Sequence, residues 1–71
     1  MSYYVIKYED KYMIGIGTHL IDDNIEMVYV RMDDYLKLAW RIPDKTTAQQ
    51  LVRMLHSKIY LMFRVVKVRS K

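Results

Sequence analysis

YYVIKYEDKYMIGIG, residues 3–17, decides how this chain folds. Residues 3–8 are aromatic or β-branched apart from Lys7, which is the composition of a strand. Glu9-Asp10 is a polar break, and residues 11–17 read as the returning strand. The pair is an antiparallel hairpin. Alternation along a strand puts Tyr4, Ile6 and Tyr8 on one face, and Tyr12, Ile14 and Ile16 together on the return. Gly15 and Gly17 fall on the opposite parity. Glycine inside a strand marks a bulge or a close approach by another backbone or a ligand, and the bulge is the more frequent cause.

The pattern continues outward from this hairpin. Asp22-Asp23-Asn24 is a turn signal. Residues 25–32 alternate around Val28, Val30 and Met32, and Asp33-Asp34 breaks the run. Residues 35–42 show the cleanest alternation, with Leu36, Leu38, Trp40 and Ile42 on one side and Tyr35, Lys37, Ala39 and Arg41 on the other. That favours a strand, with a helix over residues 33–41 as the rival. Pro43 stops the segment. Asp44, Thr46 and Thr47 are all N-cap candidates, and Thr46 with Gln49 has capping-box spacing. Ala48, Leu51, Val52 and Leu55 repeat at helical spacing, so a helix is expected over about 45–56.

The last stretch, YLMFRVVKVRSK, has conflicting parity: Leu61, Phe63 and Val65 are odd, Val66 and Val68 even. A bulge at Val65-Val66 would reconcile them and bring Arg64, Lys67 and Arg69 onto one exposed face. The expectation is an α+β fold, a small antiparallel sheet of two hairpins plus a C-terminal strand. One amphipathic helix packs on one face, in the order β-β-β-β-α-β, over a single domain spanning residues 1–71.

Composition narrows the function classes. With 71 residues the margin of stability is thin, so a homodimer is a reasonable expectation. There is no cysteine, hence no disulfide framework or thiolate metal site, which fits a cytoplasmic location. Hydrophobic residues make up 52%, too many for disorder. No run approaches the roughly 20 apolar residues of a membrane span, and no signal peptide is recognisable. The net charge of +4 is unevenly distributed. Residues 1–44 hold five bases against eight acids, while residues 45–71 hold seven bases and no acid. Such asymmetry points to an acidic or nucleic-acid partner, or simply to halves that neutralise each other.

Catalytic signals are weak. Ser2, Ser57 and Ser70 with His19 or His56 form no nucleophile motif. The acidic pairs lack the alternating oxygens of a calcium loop and read as turns. No cofactor is implied. The basic set of Arg64, Lys67, Arg69 and Lys71, with Arg53 and Lys58, could neutralise several phosphates, although basic residues also protect an edge strand. Seven tyrosines are harder to absorb into a core. Tyr3, Tyr35 and Tyr29 have parity opposite their apolar neighbours, and tyrosine and arginine are typical of protein interfaces. Arg64, Lys67, Arg69, Tyr35 and Tyr3 are the candidate interaction face.

The opening run of residues 3–8, the return over 11–15, the helix over 46–56 and the closing Arg64-Val65-Val66-Lys67-Val68 resemble small early or accessory proteins of bacteriophages of Gram-positive bacteria. The resemblance implies a non-enzymatic protein of the host cytoplasm that binds and blocks a host protein, including defence nucleases such as CRISPR effectors. Its acidic turns Glu9-Asp10, Asp22-Asp23 and Asp33-Asp34 would then dock in a basic channel, imitating phosphates. The alternatives are a small nucleic-acid-binding module using the basic C-terminal strand, and a homodimeric structural subunit.

Overall fold

The computed structural model describes residues 1–69; Lys71, counted with the basic set, and Ser70, considered as a nucleophile, lie outside the described residues. Four strands form one sheet: β1 (Ser2–Tyr8), β2 (Lys11–Asp22), β3 (Ile25–Asp33) and β4 (Arg64–Arg69). Their order is β3-β2-β1-β4, with every neighbour antiparallel. A single helix, α1 (Lys45–Lys58), lies between β3 and β4 in the chain. The expected α+β architecture is present: an antiparallel sheet carrying one helix.

The first hairpin forms as its composition predicts. Glu9 turns the corner at φ 53°, a left-handed backbone that side-chain-bearing residues seldom adopt. The Arg64 guanidinium donates to the Glu9 carbonyl at 2.9 Å and holds this corner. β1 then pairs with β4 along its length, from Ser2 opposite Arg69 to Lys7 opposite Arg64. With β2 it pairs only at Lys7–Tyr12 and Tyr8–Lys11.

β2 leaves β1 because it bulges. Its register against β3 shifts between Met13 and Gly15, where the glycine pattern places a bulge. An extra residue inverts the parity of the positions that follow, here as far as Leu20, beyond which a second shift between Leu20 and Asp22 restores it. The expected grouping of Tyr12, Ile14 and Ile16 therefore fails. Met13 before the bulge and Ile16 after it reach the core, whereas Tyr12 pairs with Lys7 on the other face.

Residues 35–42 form neither the favoured strand nor the rival helix. The Asp33 carboxylate accepts the Tyr35 N–H at 2.9 Å and ends β3. A single 3₁₀ turn follows at Leu36–Leu38. Beyond it, Trp40 N–H donates to the Met13 carbonyl at 3.1 Å, and Ile42 exchanges hydrogen bonds of 2.8 and 2.7 Å with Tyr4. The segment thus plugs the gap where β1 and β2 separate, satisfying backbone groups that both strands would otherwise leave open. Alternation misjudged several side chains as well: Ile42 is buried as its face implied, but so is Ala39, while Leu38 and Trp40 are exposed.

Of the three cap candidates, Asp44 takes the position. Its carboxylate accepts the Thr47 N–H at 2.9 Å and the Thr47 hydroxyl at 2.7 Å. These bonds favour the charged form, the Thr47 hydroxyl most of all, and hold the Asp44 carboxyl below its ordinary value. α1 runs two residues beyond the expected end, and His56 and Lys58 in its last turn suit the negative end of the helix dipole. Ala48, Val52 and Leu55 project from α1 onto Ile6, Met13 and Phe63 to make the core. Phe63 brackets it, its ring 5.9 Å from Tyr8 and 6.3 Å from His56.

The parity conflict near the C-terminus resolves without a bulge. β4 begins only at Arg64 and keeps one register throughout. Phe63 reaches the core from the preceding loop, tied by its N–H to the Leu61 carbonyl at 3.1 Å. Strand pairing then places Val65, Lys67 and Arg69 on the helix-bearing face and Arg64, Val66 and Val68 on the other.

Candidate binding surface on the β2–β3 ribbon

β2 and β3 continue as a two-stranded ribbon well past the core. Ile16 and Val30 are its last pair to pack against the helix side. Every residue from 18 to 27 is exposed. Four of them are large and apolar: Leu20 (66% exposed), Ile21 (55%), Ile25 (50%) and Met27 (52%), with Tyr29 close behind. The ribbon stretches the molecule to 47 × 23 × 18 Å, with a radius of gyration of 13.0 Å. A compact domain of this length has a radius near 11 Å. The accessible surface is 5645 Å², against about 4700 Å² for a compact monomer of this mass. Large apolar side chains concentrated in this way on one exposed element mark a candidate interaction site.

The tip is held by turn chemistry. The Asp22 carboxylate accepts the N–H groups of Asn24 at 2.8 Å and Ile25 at 3.0 Å. Asp23, beside it, makes no ion pair among the described residues. Farther back, the Tyr29 ring lies flat across Gly17, its partner on β2. A methyl group at Gly17 would overlap that ring, while one at Gly15 would only touch Arg31 at 3.7 Å. Gly15 accordingly belongs to the bulge and Gly17 to the close approach. Lys58, at the end of α1, meets the ribbon across an open groove lined by Ile21, Ile25, Glu26, Met27 and Val28.

The residues expected to form one interaction face are distributed over the molecule. Arg64 lies on the helix-free face and is engaged by the Glu9 carbonyl. Lys67 and Arg69 emerge on the opposite face. Tyr3 shares the face of Arg64, with the Arg41 guanidinium 4.9 Å over its ring. Tyr35 sits exposed in the turn after β3. The acidic turns also divide. Glu9, Asp10, Asp33 and Asp34 gather where β2 begins, with Asp34 paired to Lys11 at 3.2 Å. Asp22 and Asp23 occupy the far end of that strand.

Sequence reading ended the returning strand at residue 17 and so missed Leu20 and Ile21 in β2. A signal was present: Leu20-Ile21 precede Asp22-Asp23-Asn24 and Ile25 follows it directly, as they would if both strands ran right up to the turn. A second exposed apolar group, Tyr60, Leu61 and Met62, lies in the loop before Phe63 and frames a shallow pocket with His56 and Ile59. Among the described residues no three His, Asp or Glu side chains group as a metal site. No helix among the described residues is long and apolar enough to cross a membrane. Comparison with protein-family models, with curated proteins and with solved structures finds no match to this chain.

Proposed function

We propose that this chain is a non-enzymatic binding protein that occludes a host protein, as its resemblance to small early phage proteins implies, and that it docks through the β2–β3 ribbon. The observation that carries the reading is the ribbon itself, a paired two-stranded finger with Leu20, Ile21, Ile25 and Met27 exposed far from the core. Side chains of this kind on a paired backbone lose little entropy on binding. The tip adds Asp22-Asp23, so the finger is both apolar and acidic. A nucleic-acid enzyme of the host cytoplasm, such as a CRISPR effector, has a basic channel that complements it.

Affinity capture from a bacterial lysate, followed by nuclease inhibition with the purified target, tests this. The target is expected to be held by the intact chain and by the Arg64→Ala/Lys67→Ala/Arg69→Ala variant. It is expected to be lost with Leu20→Asn/Ile21→Asn. Equal capture by the ribbon variant would sink the reading.

One observation favours a second reading, a nucleic-acid-binding module. Lys67 and Arg69 emerge on the face that bears α1, a helix with Lys45, Arg53 and Lys58 and no acid. A gel shift that weakens steeply as salt rises, and that disappears in the same triple variant, is its expected signature. Absence of any shift at low salt removes it.

A further inference from the structure

We infer that a second copy of this chain pairs along the outer edge of β3, antiparallel and centred on Met27, so that two four-stranded sheets become one. The sheet has two open edges, β3 and β4. β4 carries Arg64, Lys67 and Arg69 within six residues. Pairing β4 with itself would crowd these like charges, a common protection against edge association. β3 has no such protection. Its nine residues, IEMVYVRMD, contain no proline, and both register shifts of the β2–β3 pair insert their extra residue on β2. Between Ile25 and Met32 the only charges are one acid, Glu26, and one base, Arg31.

Symmetry restricts the register. A two-fold axis perpendicular to the sheet keeps each side chain on its own face, so odd positions oppose odd positions. Centred on Met27, the pairing sets Ile25 against Tyr29 and Met27 against its own copy. It also brings Arg31 alongside Asp23 of the second copy. Neither Arg31 nor Asp23 has an ion pair among the described residues. Centring on Val28 would instead oppose Asp33 to Asp23, and centring on Tyr29 would oppose Asp33 to Ile25. Only the Met27 register joins apolar to apolar and acid to base.

The surface area supports a partner of this size. The molecule exposes 5645 Å², roughly 900 Å² more than a compact monomer. A stable interface of standard size takes about 800 Å² from each partner. The dimer places two sets of Ile25, Met27 and Tyr29 side by side on one face and leaves Leu20 and Ile21 free for the host target proposed above.

Sedimentation equilibrium on the intact chain tests the dimer, with an expected mass of twice 8.6 kDa. Met27→Lys and Met27→Glu should each sediment as monomers with unchanged circular dichroism, and an equimolar mixture of the two should recover the dimer. Arg31→Glu should raise the dissociation constant by about tenfold, because the pair occurs twice across the axis. Asp23→Arg combined with Arg31→Glu should restore it. A monomer at millimolar concentration overturns the inference. So does a dimer indifferent to Met27→Lys, or an open series of larger species from β3–β4 pairing. Loss of the dimer with target capture retained leaves the binding function standing, and loss of capture in a Leu20→Asn/Ile21→Asn dimer leaves the dimer standing.

Discussion

The molecule has two halves that obey different rules. In one, β1, β4 and α1 close around Ile6, Leu55 and Phe63, and these side chains are almost entirely removed from water. In the other, the distal ribbon keeps its backbone paired but leaves its apolar side chains exposed. Hydrogen bonding alone contributes little net stability, so the ribbon persists because the packed half anchors one end. Stability therefore resides in one half and the proposed recognition surface in the other.

Substitutions can break this division. The largest effect is expected at Phe63 and Leu55. Phe63→Ala should cost about 3–5 kcal/mol and Leu55→Ala about 2–5 kcal/mol, read as a lowered urea midpoint. A comparable loss at Leu20→Ala would erase the distinction; the expected change there is within about 0.5 kcal/mol. Gly17→Ala probes the border between the halves. It should swing Tyr29 off β2 at a cost of about 1 kcal/mol, whereas Gly15→Ala should be close to neutral. Aromatic ring shifts of Tyr29 in an NMR spectrum would report the displacement directly.

A smaller effect belongs to Asp44. Its folded carboxyl titrates lower than in the unfolded chain. The stability it adds is fully present above the unfolded value and fades as pH falls through the folded one. Asp44→Ala should lower Tm by several degrees at neutral pH and flatten the decline of stability in acid. Smallest in energy but clearest in kind, amide exchange should be fastest in residues 18–27 and slowest in α1 and β1.

How much the sequence revealed depends on how local each signal is. The first hairpin, the bulge at Gly15 and the helix register each depend on a few neighbouring residues, and each formed. Residues 35–42 did not obey their alternation, because the Asp33 carboxylate ended β3 and β1 offered only the single opening at Tyr4. The bulge on β2 displaced Ile14 from its expected partners for a similar reason, since one inserted residue changes the face of those that follow, up to the second shift after Leu20. Near the C-terminus the mistake was to start the strand too early; beginning it at Arg64 removes any need for a bulge. The candidate surface was partly legible. Tyr29 stood out by parity, but the exposure of Leu20 and Ile21 depends on how far the ribbon outruns the helix, a property of the assembled fold.

The pairing of β1 with β4 has a kinetic consequence. The first strand to be synthesised finds its full-length neighbour in the last. Until Arg64–Arg69 has emerged from the ribosome, β1 has only its short ladder with β2 and the single bridge to Ile42. Folding is then expected to wait for the synthesis of β4, and the nascent chain would expose Val5 and Ile6 until that strand emerges. A ribosome stalled before Arg64 would therefore hold this small core in its most aggregation-prone form.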